Sequence, residues 1–200
     1  MDEWESRVVE AGLEILAEEG LTALSVAGIA RRLGASRMTL HRKGLTRERV
    51  IELLSIRAGY EYQQAVWPTL VSDGTGLARL ERALRATCQV ADPWRHLLVG
   101  LFAEDGGIFH EPEKVSGLER DRALATRTVF VEPLARLLRD GIVDGSLAGV
   151  PDVDRTATVL FNQVGWTYLA LRVGQRWTRE QAEDSVVTLA LAAVAQRPPG

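Results

Sequence analysis

Apolar side chains recur every three to four residues along nearly the whole chain, and the strict alternation that marks a half-buried strand is almost absent. Trp4, Val8, Ala11, Gly12 and Ile15 share one face of a first helix that Gly20 closes, and Glu10, Glu14 and Glu18 share another face that reads as solvated. Two short helices follow, over 25–33 and 36–42, then a long one from Thr46 to about Val66, closed by Trp-Pro. After a turn at 72–76 the periodicity predicts helices over 77–91, 93–104, 115–140, 152–173 and 178–196, separated by "EDGG", "DGIVDGSLAGVP" and "VGQRW". The expectation is an all-α chain of about nine helices without internal repeats. The change from short helices to long ones near residue 46 predicts a small N-terminal domain, 1–47, continuous with a helical body, 48–200.

Composition narrows the setting. Two hundred residues, 46% of them hydrophobic, are enough for a substantial core. Cys88 is the only cysteine, so no disulfide can form within the chain. The N-terminus is acidic and amphipathic, unlike the basic start and apolar run of a secretory signal. The longest near-apolar run, 186–195, is too short to span a bilayer. A soluble, cytoplasmic protein is expected.

Charge then singles out one region. The formal net charge is −3, yet Arg31, Arg32, Arg37, Arg42, Lys43, Arg47 and Arg49 face a single acid, Glu48, between residues 31 and 49. One basic patch on an otherwise acidic chain calls for an anionic partner at one place. The spacing around it predicts a helix-turn-helix. Ala30 is small where a second helix must cross, Gly34 supplies the turn, Leu40 pins the second helix to the first, and Ser25 and Ser36 stand at N-cap positions. Such a second helix exposes Arg37, Met38, Thr39, His41 and Arg42, with Lys43 just beyond, and can enter the DNA major groove. Ser25, at a helix start with free N–H groups, can hold a phosphate. Thr46 caps the next helix, and Leu45 with Val50 has the spacing of a hydrophobic staple. The competing reading is that the arginines decorate a surface and that Ala-x-x-x-Gly is a chance helix corner.

Over "VVEAGLEILAEEGLTALSVAGIARRLGASRMTL", residues 8–40, the chain resembles the tetracycline-repressor (TetR) family of transcriptional regulators. The resemblance covers about residues 8–54; beyond that only the helical layout and "LLRDGIVDGSL" followed by two long helices look alike. Members commonly continue from the recognition helix with Tyr-x-Tyr-Phe, whereas this chain reads His41-Arg42-Lys43-Gly44. His41 then stands where a phosphate-contacting tyrosine would, Arg42 and Lys43 add charge, and Leu45 takes over packing that Gly44 cannot provide. The DNA-binding residues expected are Ser25, Ser36, Arg37, Met38, Thr39, His41, Arg42, Lys43 and Arg47.

The resemblance also implies a body that binds a small effector and dimerises. Trp67, Trp94, Phe102, Phe109, Phe130, Phe161 and Trp166 fall in the segments from which the family builds its pocket, although an ordinary core uses as many aromatics. Residues 186–195 contain one polar side chain, Thr188, and a helix apolar all round must be buried all round. This predicts a homodimer through Val186, Ala190, Ala193 and Val194; a deeply packed core helix is the alternative. No enzyme signature is present. No histidine has a Glu three residues before it, and there is no phosphate-binding glycine loop, nucleophile elbow or zinc spacing, so neither metal nor cofactor is expected. The reading is a homodimeric repressor that binds a palindromic double-stranded operator and is released by a small, apolar effector. A dimeric helical adaptor without specific DNA binding is the alternative.

Overall fold

The structure, a computed structural model, describes residues 1–105, 117–148 and 150–195. The α-helices among them are α1 (Glu3–Glu19), α2 (Val26–Leu33), α3 (Arg37–Arg42), α4 (Arg47–Val66), α5 (Gly76–Asp105), α6 (Gly117–Thr126), α7 (Glu132–Val143), α8 (Val153–Leu169) and α9 (Arg179–Ala192). The described residues contain no strand beyond one isolated bridge, Leu147 with Ala195, so the chain is all-α. They form two compact units, Met1–Tyr60 with Trp94–Ile108, and Glu61–Pro93 with Phe109–Gly200. Helices α4 and α5 each run through both.

In the first unit, α1 begins with a reciprocal cap: the Asp2 carboxylate accepts from the Glu5 N–H at 2.7 Å, and the Glu5 carboxylate accepts from the Asp2 N–H at 3.2 Å. Its buried stripe is Val8, Val9, Ala11, Gly12, Ile15 and Leu16. Gly12 leaves room for Leu54 of α4, and Gly28 of α2 sits against Ile15. The second half of α5 closes this unit. Gly100 lies flat on Leu21, the first residue of a short 3₁₀ turn, and a Cβ there would overlap the leucine side chain.

The second unit is held by turns as much as by helix faces. The Asp144 carboxylate accepts from the Gly76 N–H at 2.6 Å, and the Ser146 hydroxyl accepts from the Leu77 N–H at 3.0 Å. The turn after α7 therefore caps α5, and hydrogen bonds from Ser146 and Gly76 hold the Asp144 carboxyl below its ordinary pKa. The Ala148 N–H donates to the Val194 carbonyl at 3.1 Å, tying the same turn to the end of α9. Helix α9 ends at Ala192, short of the expected 196, and residue 196 lies outside those described.

One expectation needs correction. The segments 77–91 and 93–104 form a single helix, α5, with Pro93 inside it. Proline in a helix interior costs about 3 kcal/mol and usually marks a boundary. Here the flanking residues are anchored. Asp92 is buried and accepts from the Tyr168 hydroxyl at 2.9 Å and from Arg172 Nε at 2.6 Å, with Arg179 Nη2 at 3.8 Å. Trp94 is itself buried. Burial and charge pairing at Asp92 outweigh the missing N–H. The same arrangement, with burial as the larger cause, raises the Tyr168 pKa. The expected helix 115–140 is likewise α6 and α7 joined by a π-turn, Arg127–Val131, just ahead of Pro133; residues 115 and 116 lie outside those described.

The first residue of α5 comes close to the backbone of α7. A Cβ on Gly76 would run into the backbone of Gly141, which cannot swing aside as a side chain can. Gly76→Ala is therefore expected to lower stability by about 1–3 kcal/mol. Urea unfolding checks this as a lower midpoint with an unchanged slope.

Candidate nucleic-acid interface

Helix α3 is six residues long, and its neighbours fix it at both ends. Before it, α2 ends at Gly34 in the left-handed region (φ 62°), and the Ala35 N–H donates to the Ala30 carbonyl at 3.0 Å. After it, Gly44 is left-handed (φ 72°), and the Leu45 N–H donates to the Leu40 carbonyl at 3.1 Å. Both are glycine-closed helix ends, and they set where α3 starts and stops. The Ser25 hydroxyl accepts from the Gly28 N–H and the Ser36 hydroxyl from the Thr39 N–H, both at 3.1 Å. Leu40 is fully buried, and Leu45 and Val50 are buried as the staple requires. Thr46 Oγ1 accepts from the Arg49 N–H at 3.1 Å, capping α4.

The outward side of this frame carries Arg37, Met38, His41, Arg42 and Lys43, all exposed. Thr39 is half-buried, and its hydroxyl lies 2.8 Å from that of Ser36. Lys43 Nζ sits 4.5 Å above the ring of Trp4, a cation–π contact joining α1 to the end of α3. Arg47 is turned inward, with Nε donating to the Leu24 carbonyl at 3.2 Å. Among the described residues, Arg37 and Arg42 have no ion-pair partner.

The rest of the basic patch is paired with acids. Arg32 meets Glu14 at 3.1 Å and Glu19 at 3.5 Å, and it also binds Glu18. Arg31 lies 3.7 Å from Glu19, and Arg49 reaches Glu5 at 2.6 Å and Glu52 at 2.9 Å. The face of α1 that carries Glu14 and Glu18 is therefore not simply solvated: it grips α2. Pairing Arg31, Arg32 and Arg49 confines the unpaired charge to α3 and its end. Sequence spacing gives no sign of the pairs between α1 and Arg31, Arg32 or Arg49, whose partners lie twelve or more residues apart; only Arg49 with Glu52 sits at helical spacing.

In the other unit, Phe130 and Phe161 are brought together, ring centroids 5.6 Å apart, around Tyr62, which stands 4.7 Å from Phe130 and 6.2 Å from Phe161. Tyr62 is not among the aromatics expected from the sequence; its helical spacing to buried Leu54 and Val66 on α4 is the signal that marks it. The Tyr62 hydroxyl donates to the Phe130 carbonyl at 3.0 Å. Trp166 is half-buried, with Nε1 donating to Asn162 Oδ1 at 3.2 Å, and Trp67 is exposed. Trp94 belongs to the first unit. The Phe102 side chain and Phe109 lie outside the described residues. Cys88 is buried, and burial, then the charge of Glu183, pushes its thiol up to about 12. No group of metal-binding side chains occurs among the described residues, and none of their helices is long and apolar enough to cross a membrane.

The four residues expected at a dimer contact divide. Val186, Ala190 and Val194 are buried in the chain's own core, because the inward face of α9 runs through Ala182, Val186, Val187 and Ala190 at helical spacing; only Ala193 is exposed. The outward face carries Thr188, Leu189, Ala192 and Ala193.

No family model matches the sequence, and no curated protein matches it. Solved structures do. A putative transcriptional regulator from Saccharomonospora viridis in complex with choline superposes with a TM-score of 0.76 at 18% identity, over 98% of this chain and all of that one. A TetR/AcrR-family regulator from Thermobifida fusca gives 0.72 at 19% identity, over 95% of this chain and 97% of that one. The ketosteroid transcriptional regulator KstR2 of Mycobacterium tuberculosis gives 0.67 at 19% identity, over 98% and 97%. The chain has the fold of TetR/AcrR-family regulators over essentially its whole length.

The α1–α2 ion pairs carry a pH signature. A hydrogen bond from Arg32, and then its charge, hold the Glu18 carboxyl below its ordinary 4.5. A depressed folded-state pKa contributes stability that is full above the ordinary value and is lost as pH falls through the folded value. Glu18→Gln is expected to lower the melting temperature at about pH 7 and to leave it less sensitive to acid below pH 4.5. Thermal melts of both proteins across that range check it.

Proposed function

We propose that the protein is a cytoplasmic, homodimeric transcriptional regulator that binds a palindromic DNA operator through α3 and is released by a small, apolar effector held in its helical body. In this reading the DNA-binding domain is residues 1–47 and the effector and dimerisation domain 48–200. The observation that carries it is α3 itself: a capped, buried-anchored short helix whose exposed Arg37 and Arg42 lack ion-pair partners among the described residues, while the surrounding arginines are paired. A surface cation with no acid beside it is available to a phosphate or a base edge. Lys43, at the end of α3, would contact the phosphate backbone, and Ser25 and Ser36 would add contacts at helix starts. The Saccharomonospora viridis neighbour was solved with choline, which supports a small-molecule effector, and Tyr62, Phe130 and Phe161 form an aromatic cluster in this body against which an apolar effector would pack. Effector and operator then act through linkage: each favours a different spacing of the two heads, so each weakens the other by the same factor.

Selection from random duplexes tests the reading. Two heads related by a two-fold axis should return an inverted repeat, with half-sites about one helical turn or somewhat more apart. On that site Arg37→Ala is expected to cost about 1–3 kcal/mol and to relax sequence preference. Lys43→Ala should weaken all duplexes alike and make the salt slope shallower by roughly one. A helical adaptor would show no salt-dependent shift on any duplex.

Dimerisation rests on the outward faces of α8 and α9. In the single chain Leu189 is 65% exposed and Val159 54% exposed, with Ala192 and Ala193 exposed beside Leu189 along α9. Large apolar side chains left open on the last two long helices are what a four-helix subunit contact would cover. Ala193→Glu puts a charge on that face. Burying it unpaired costs several kcal/mol, so the expected product is a folded monomer with most of its operator affinity lost. Light scattering and operator binding on one sample decide; an intact dimer with normal affinity would move the interface elsewhere.

A further inference from the structure

The outward face of α3 carries one apolar side chain that binding to phosphate does not require. Met38 is 81% exposed. On a helix advancing about 100° per residue, Met38 and Arg42 lie about 20° either side of the direction opposite buried Leu40. Arg37 and His41 lie on one flank of that direction and Thr39 on the other. Met38 is thus at the tip of the helix, in the middle of its cations. A thioether is a weak acceptor and donates nothing, so it gains little from a phosphate oxygen. Its unbranched chain is well suited to covering a small apolar target.

The major groove offers one such target. Among the base edges, only thymine presents a methyl group, at C5, and apolar side chains recognise it by contact. We propose that Met38 is a specificity-determining residue that packs its thioether against the C5-methyl of a thymine in each half-site, between bases or phosphates addressed by Arg37 and Arg42. The inference rests on the DNA-binding reading above and adds which base chemistry the helix tip selects.

The test uses the full-length protein and the duplex returned by selection, with each half-site thymine replaced in turn by deoxyuridine, which lacks only the C5-methyl. One replacement per half-site removes two methyl groups from the dimer's site and should weaken the wild-type protein about fifteenfold, about fourfold for each buried methyl group. Met38→Ala should lose about as much on the thymine duplex and no longer distinguish it from the uracil one. Met38→Leu should keep the distinction. Equal wild-type binding to every uracil-substituted duplex overturns the inference, as does a Met38→Ala protein that keeps the full thymine preference, or selected half-sites without thymine. In each of those results sequence-specific binding survives. Selection that returns no preferred duplex would instead overturn the DNA-binding reading and this inference with it.

Discussion

A six-residue helix cannot hold itself together: isolated helices shorter than about 12–15 residues are marginal in water. Everything α3 presents therefore depends on what surrounds it. Two left-handed glycines, Gly34 and Gly44, set its ends, Ser36 caps its first turn, and Leu40, with no exposed surface, fixes its rotation. Rotation is the consequential part. About 100° of slip would carry Met38 away from the tip and bring a different flank forward. Leu40 is the pin that prevents this, on a helix packed against α2.

The same frame governs charge. The carboxylates of α1 reach Arg31, Arg32 and Arg49, so most of the acidity of the N-terminal helix is spent inside the unit. What remains outside is a narrow cationic face. A chain of net charge −3 can thus present a positive surface in one direction without being basic overall.

Local devices were legible in the sequence because each uses a residue type that does one job at one offset. Ser25, Ser36 and Thr46 cap and Gly34 turns in the structure, and Leu45 and Val50, at staple spacing, are both buried. Gly44 first reads as a lost aromatic, and its left-handed backbone gives it a positive role that closes α3. Long-range pairing was not legible. Nothing in periodicity says that Glu18 meets Arg32, that Asp92 meets Tyr168 and Arg172 and so carries α5 past Pro93, or that Tyr62 completes the Phe130 and Phe161 cluster. Helix α9 shows the same limit from the other side. Its composition announces burial all round but does not say that Val186 and Ala190 turn inward while Leu189 turns out.

The seat of Leu21 on Gly100 bears on how such proteins can be recombined. Leu21 lies between the first two helices, yet the surface that covers it arrives some eighty residues later, on the second half of α5. The N-terminal helices are thus contiguous in sequence but not self-sufficient in packing. A chimaera cut within α4 would carry Leu21 away from its glycine and set it against whatever residue the recipient scaffold holds at that place. Any side chain there collides, so a successful graft must transplant α5 beyond Pro93 along with the head, or match a glycine in the recipient.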